Sequence, residues 1–327
     1  MRTAPPMVFG TPSYANMQRG LCDTTGWSLA HVETRAFPDG ERYQRIEDDV
    51  QGRDVVIVGG TVTDEDTLRI YDLACSIAKY GARSLTLVVP YFGYSTMERA
   101  VKPGEVVTAK SRARLLSSIP TAHAGNNIVM IDLHAAGLPY YLEGAIRAVH
   151  LYARPITLQA IRQLGGASFC LASPDAGRTK WVESLANDLG VPGAFILKRR
   201  LSGTHTEVTA INADVRGSAV VIYDDMIRSG GTLLKAAAAY LDAGATQVAA
   251  VATHGVFPGD ALSRLRDSGL LTGVACTDTH PRAQELAAEG AGFLTVHSVV
   301  PLVAECLESL YPEHTDHGRA RGAALLA

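Results

Sequence analysis

The sequence predicts an α/β protein made of two tandem copies of one strand–helix unit. Three observations carry this. Short apolar strands alternate with helical patterns along most of the 327 residues, which implies parallel sheets with helices on both faces. Residues 50–69 (VQGRDVVIVGGTVTDEDTLR) align without a gap with 215–234 (VRGSAVVIYDDMIRSGGTLL), pairing Val55, Val56, Ile57, Thr67 and Leu68 with Val220, Val221, Ile222, Thr232 and Leu233. The likeness continues downstream: AKYGAR at 78–83, then SLTLVVPYFG, parallels LDAGAT at 241–246, then QVAAVATHGVF.

The elements follow from apolar runs and their punctuation. Strands are expected at 54–60, 84–91, 127–133, 168–173, 194–198, 218–223, 247–253 and 272–277, and helices at 66–81 and 231–244, both closing at glycine. A first domain over 1–150 and a second over 151–312 are expected, with a frayed tail over 313–327.

Bulk composition narrows the function classes. Hydrophobic residues make up 47% and charged residues 19%, as in a folded globular protein. A net charge of −3 gives no general nucleic-acid or membrane surface. Cys22, Cys75, Cys170, Cys276 and Cys306 are scattered without CxxC spacing, so buried free thiols in a reducing cytoplasm are expected. The N-terminus has no apolar signal-peptide core, and no apolar run approaches the ~18 residues of a membrane span.

The most informative stretch is SAVVIYDDMIRSGGTLL at 218–234. An apolar strand through Tyr223 delivers Asp224 and Asp225 at its carboxyl end, where ligands bind in open α/β sheets. A glycine-containing loop follows, with a helix expected from about Leu233. Backbone N–H groups of such a loop hold phosphate, and the acidic pair suits sugar hydroxyls or a phosphate-bound metal. The stretch also reads as a strand ending in a solvated turn. The first copy has Gly59-Gly60 and Asp64-Glu65-Asp66-Thr67 at these positions, and acidic side chains there would repel phosphate.

Other motifs sit at strand ends. IDLHAAG places Asp132 and His134 after one strand, and ASPDAG places Asp175 after another. Carboxylates facing one cleft could hold Mg²⁺, while a lone histidine is also an ordinary structural residue. Lys198-Arg199-Arg200 begins a polar loop that reads either as a solvated basic patch or as a clamp on a phosphoryl group in transfer. In AFPDGERY, Phe37 could stack on a base while Asp39 and Glu41 accept from its amine; PDG is also a common turn.

In order, FPDGE, PYFGYS, IDLHA, SPDAG, KRR, DDMIRSGGTL and THGVF resemble the ribose-phosphate pyrophosphokinase (phosphoribosyl pyrophosphate synthase) family over about residues 8–310. The resemblance implies two phosphoribosyltransferase-type (type I) domains with parallel sheets flanked by helices. It implies transfer of the β,γ-diphosphoryl group of ATP to the 1-hydroxyl of ribose 5-phosphate, with Mg²⁺, in a homo-oligomer of two to six chains.

Carried over by motif, Lys198 and Arg200 are catalytic. Asp224 and Asp225 bind the ribose, and Arg228, Ser229, Gly230, Gly231 and Thr232 bind its 5-phosphate. Phe37, Asp39, Gly40, Glu41, Thr96, Met97, Arg99 and His134 bind ATP, and His134 and Asp175 organise the metal. Thr96-Met97-Glu98-Arg99 replaces the Arg-Gln-Asp-Arg of the familiar bacterial enzymes, and the run over 95–120 resembles the plant-type (class II) branch. Arg228 stands where the main class has Asp. A specialised transferase on another sugar phosphate and a regulatory partner of a true synthase are the alternatives.

Overall fold

The computed structural model describes residues 4–200, 206–289 and 292–314, with the side chains of 197–200 and 206–210 outside that description. It divides into two compact units, one of Met1–Tyr152 with Val300–Ala327 and one of Ala153–Val299.

The first unit runs β1 (Met7–Gly10), α1 (Ala15–Thr25), β2 (Ser28–Leu29), β3 (Val32–Ala36), β4 (Arg42–Ile46), β5 (Asp54–Val58), α2 (Asp64–Lys79), β6 (Ser84–Val89), α3 (Thr108–Ser117), β7 (Asn126–Ile131) and β8 (Arg147–Leu151). Six strands form a wholly parallel sheet in the order β2-β1-β5-β6-β7-β8. Antiparallel β3 and β4 form a separate hairpin. All of β5 is buried, as its unbroken apolar run requires of a strand covered on both faces. Val55 and Ile57 point to the face covered by Ile70, Leu73 and Ile77 of α2 and by Leu116 of α3. Each such side chain contributes about 1.5–3 kcal/mol on burial.

The second unit runs α4 (Arg154–Gly165), β9 (Phe169–Ser173), α5 (Thr179–Leu189), β10 (Gly193–Arg200), β11 (Thr206–Ile211), β12 (Ala219–Ile227), α6 (Gly231–Asp242), β13 (Gln247–Gly255), α7 (Ala261–Asp267), β14 (Val274–Thr277), α8 (Pro281–Glu289) and β15 (Leu294–His297). Its sheet order is β11-β10-β9-β12-β13-β14-β15, with β11 antiparallel to β10 and the other pairs parallel. Alternation along β12 fills two cores. Val220 and Ile222 pack with Leu233, Ala236 and Tyr240 of α6, while Val221 and Tyr223 pack with Ile161 of α4 and with Val182 and Leu185 of α5.

The repeat seen in the sequence is a repeat of topology. The run β1-β5-β6-β7-β8 has the same parallel order as β9-β12-β13-β14-β15. Several details differ from the sequence reading. β12 continues through Asp224 and Asp225 to Ile227, because it stays in register with the equally long β13, pairing Asp224 with Ala252 and Ile227 with Gly255. The short or half-exposed strands β1, β2, β3, β4, β8, β11 and β15 have too little apolar periodicity to stand out.

The last helix, α9 (Val300–Leu310), belongs to the first unit rather than to the domain expected to end at 312. It packs on α1, and a Cβ on Gly20 would lie 3.2 Å from Val300 Cγ2. The chain beyond it is tied down, including Glu313 and His314 at the start of the tail expected to fray. The Tyr311 hydroxyl lies 2.7 Å from Thr86 Oγ1, His314 Nε2 lies 3.0 Å from Asp54 Oδ2, and Arg83 donates to Glu313 at 2.7 Å. The rest of the expected tail, 315–327, lies outside the described residues.

Candidate active site

In the second unit the loop expected to hold phosphate is three residues long, between Ile227 and Gly231. Gly230 takes φ 77° and is the N-cap of α6, with no side chain capping that helix. The N–H groups of the first turn therefore keep their donor capacity for an anion. Gly230 is needed twice over: its φ favours glycine, and a Cβ there would meet Leu265 Cδ2 at 2.7 Å. Ile227 O accepts from Val256 N and Phe257 N at 3.0 and 3.2 Å, and Arg264 donates to Ser229 O at 3.1 Å. These bonds fix where the loop leaves β12. Arg228, Ser229, Gly231 and Thr232 are exposed, and the side chains of Arg228, Ser229 and Thr232 are uncommitted among the described residues.

The first copy closes the corresponding position. Thr63 Oγ1 accepts from Asp66 N at 3.0 Å, and Asp66 accepts from Thr63 N at 3.2 Å, a complete capping box on α2. Asp64, Glu65 and Asp66 fill its first turn, where negative charge is stabilised by the helix dipole. The donors left open on α6 are thus occupied on α2 by the chain itself.

Asp224 and Asp225 lie one residue apart in β12, so their side chains start on opposite faces. Asp224 Oδ1 accepts from Asp225 N at 2.9 Å. Burial first, then the hydrogen bond and charge of Asp225, push the Asp224 carboxyl well above its usual range, against the opposing pull of Arg178. Arg178 pairs with Asp225 through Nη2, and its Nε lies 3.9 Å from Asp224 Oδ1. It follows Asp175, whose Oδ1 accepts from Gly177 N at 2.9 Å. Asp175 lies two residues beyond β9 and the acidic pair near the end of β12, and these strands are neighbours in the sheet. Asp175 offers the hard carboxylate oxygen that Mg²⁺ takes, while Arg178 already stands against the acidic pair.

Lys198 and Arg200 belong to β10, paired across from Val208 and Thr206. Their side chains lie outside the described residues, as does the loop over 201–205.

In the first unit the PYFGYS motif ends β6 in a strained turn. Tyr94 has φ 59°, rare for a residue with a side chain. Gly93 donates to Thr61 Oγ1 at 2.8 Å. Asp64 accepts from the Tyr94 hydroxyl at 2.9 Å and from Arg112 of α3 at 2.6 Å. The Arg112 guanidinium lies 5.2 Å from the Tyr94 ring centre, within cation–π range. Met97 and Arg99 are exposed and Thr96 is half-buried in the same turn. Arg112 was not singled out in the sequence, and Asp64 only as an acid that would repel phosphate, because nothing local links a helix position at 112 to residue 64.

On the β3–β4 hairpin, Phe37 N donates to Glu41 O at 2.7 Å, and Arg35 lies 5.4 Å from the Phe37 ring and 4.4 Å from that of Tyr43. Phe37, Asp39, Gly40 and Glu41 are all exposed, and Gly40 holds φ 92° at the tip. Asp39 Oδ1 already accepts from Glu41 N at 3.0 Å, so one of its oxygens serves the turn.

His134 is half-buried beyond β7. The turn before it has Asp132 at φ 38°. His150 Nε2 accepts from Leu133 N at 3.0 Å, and burial pushes the His150 pKa down to about 4, so the ring stays neutral. His134 belongs to the first unit and Asp175 to the second.

Among the described residues, one cluster of three possible metal-ligand side chains is Asp54, Glu313 and His314. It does not fit a nucleotide metal. Asp54 opens β5, at the amino end of the sheet, and Arg83 already pairs with both Asp54 and Glu313. Burial alone would raise the Asp54 carboxyl, but hydrogen bonds from Arg83, Ser84 and His314 outweigh it and hold the group below its usual range. No described helix is long and apolar enough to cross a membrane.

The chain is similar to known proteins over most of its length. A family profile described as the N-terminal domain of ribose phosphate pyrophosphokinase matches residues 6–119, and one described as the phosphoribosyl synthetase-associated domain matches 190–314. The ribose-phosphate pyrophosphokinase of Caldanaerobacter subterraneus is 32% identical, covering 92% of this chain and 93% of its own. That of Campylobacter jejuni is also 32% identical, over 93% and 95%. The crystal structure of phosphoribosylpyrophosphate synthetase from Mycobacterium smegmatis superposes with a TM-score of 0.82 at 25% identity, covering 94% of this chain and 99% of that one. The chain is an enzyme of the ribose-phosphate pyrophosphokinase family.

Proposed function

We propose that the protein transfers the β,γ-diphosphoryl group of ATP to the 1-hydroxyl of ribose 5-phosphate, giving 5-phosphoribosyl 1-diphosphate and AMP. The supporting observation is the contrast between the uncapped α6, preceded by Asp224-Asp225, and the closed capping box on α2. One copy retains a phosphate cradle beside carboxylates, and the other is left for the nucleotide.

In the reaction the sugar O1 bonds to the β-phosphorus, the bond from that phosphorus to the α,β-bridging oxygen breaks, and AMP departs. The hydroxyl proton passes to solvent. The N–H groups around Ser229 to Thr232 hold the 5-phosphate, with Arg228 adding a cation, and Asp224 and Asp225 accept from the ribose hydroxyls. Lys198 and Arg200 stabilise the diphosphoryl group in flight. Phe37, Asp39, Gly40, Glu41, Thr96, Met97, Arg99 and His134 serve the nucleotide. Asp175 would hold Mg²⁺, which supplies charge neutralisation to the polyphosphate; imidazole is a poor direct ligand for so hard an ion, so His134 acts on the nucleotide side.

Thr96 and Met97 replace a charged and an amide side chain, which supports plant-type behaviour: a less strict nucleotide donor and no dependence on inorganic phosphate. A cytoplasmic homo-oligomer completes the reading.

The test is AMP release with ribose 5-phosphate and Mg²⁺, using ATP, GTP and CTP, with and without inorganic phosphate. AMP formation that needs the sugar phosphate supports transfer. No AMP with any nucleotide overturns it.

A further inference from the structure

The structure assigns a role to Arg178. We propose that it is the fixed counter-cation of Asp224 and Asp225, a positioning residue that holds both carboxylates ready for the ribose hydroxyls and lets the sugar phosphate bind without a divalent cation at the pair. The proposal rests on reading this end of the second unit as the ribose 5-phosphate site.

Adjacent carboxylates repel, and this pair is only partly hydrated: the Asp225 side chain is 7% exposed and that of Asp224 28%. Such pairs ordinarily recruit a metal or share a proton. A shared proton would remove an acceptor, because a neutral carboxyl offers an O–H where the ribose hydroxyl needs to donate. Arg178 opposes that proton uptake with a fixed positive charge beside both acids. Its Nη2 pairs with Asp225 Oδ2 and its Nε faces Asp224 Oδ1, so one planar group addresses both acids.

The guanidinium is delivered from a fixed base. Ser173 Oγ donates to Asp175 O at 2.7 Å, Asp175 Oδ1 caps the short turn over Ala176–Arg178, and α5 starts at Thr179. The SPDAG turn therefore sets the position of the cation three residues on. A lysine there has the charge but not the fork.

The phosphate end depends on other groups, the loop Arg228–Gly230 and the first turn of α6. The two ends can therefore be read separately. Calorimetric binding of ribose 5-phosphate and of inorganic phosphate is measured in EDTA and again in Mg²⁺, for the wild-type chain, Arg178→Gln and Arg178→Lys. The expected result is wild-type binding of ribose 5-phosphate in EDTA. Arg178→Gln should lose at least about tenfold in EDTA and recover part of it in Mg²⁺, with phosphate affinity unchanged, and Arg178→Lys should fall between.

Arg178→Gln that binds ribose 5-phosphate as the wild type does, or that loses phosphate affinity in equal measure, overturns the proposal. Wild-type binding that requires Mg²⁺ also overturns it. Wild type that binds ribose 5-phosphate but releases no AMP removes the transfer reading and leaves the role of Arg178 standing. Wild type that binds no ribose 5-phosphate removes both.

Discussion

Tyr94 and Phe257 stand at equivalent places in the two copies, and both have left-handed backbone, φ 59° and φ 40°. Each lies ten residues beyond the first residue of its strand, Ser84 in β6 and Gln247 in β13. Strained non-glycine residues persist where the surroundings over-determine them, often beside functional sites. Phe257 is fully buried in the second core, while Tyr94 is exposed with its hydroxyl on Asp64. The same turn serves packing in one copy and presents a ring to solvent in the other.

The Tyr94 turn depends on Gly93. A Cβ on Gly93 would lie 2.0 Å from the backbone oxygen of Thr61, which has no rotamer with which to give way. Gly93→Ala is expected to destabilise the fold by more than the ~1–3 kcal/mol of an ordinary overpacked site. Thermal unfolding checks this, and an unchanged midpoint would contradict the tight approach.

Arg112 is the nearby cation of this turn. Its partner Asp64 has a side chain 63% exposed, so the pair adds little stability. Arg112→Ala should cost less than ~1 kcal/mol yet raise KM for the nucleotide severalfold, with KM for ribose 5-phosphate unchanged. Steady-state kinetics in each substrate separates the effects.

His150 gives a pH dependence with a defined sign. Its folded pKa, about 4, lies below its ordinary value of 6.5. Between those values the unfolded chain binds a proton that the folded chain refuses, so stability falls as pH drops from 6.5 towards 4. Protonation would also remove the acceptor for Leu133 N–H. Unfolding midpoints across pH 5–7 should fall on the acid side, and His150→Gln should flatten that slope.

Asp54 carries the network that binds the C-terminal segment. Asp54→Ala leaves Arg83, Ser84 and His314 each short of a partner, and the expected loss is about 1–3 kcal/mol. In the wild type the depressed Asp54 pKa contributes stability present above its ordinary value near 3.8 and lost as pH falls through the folded value. Acid unfolding curves of wild type and variant should therefore converge at low pH.

Lys198→Ala should abolish turnover while ribose 5-phosphate binding changes little, because a residue on a transferring group acts in the transition state. Loss of kcat with retained calorimetric binding is the expected pair of results. Equal loss of both would contradict the role.

The sequence by itself determined the alternation of strands and helices, the internal repeat, and the ordered motifs that carry the family. These are legible because burial on both faces forces unbroken apolar runs such as Val55 to Val58 and Val220 to Tyr223, and because tight turns need particular residues locally. Tertiary structure alone decided the rest. Asp224 and Asp225 lie inside β12 because a neighbouring strand runs on beside them. Arg178 meets the acidic pair, Arg112 meets Tyr94, and α9 joins the first unit. Each depends on groups far apart along the chain, whose pairing is set by strand order and packing, and none has a local periodicity to read.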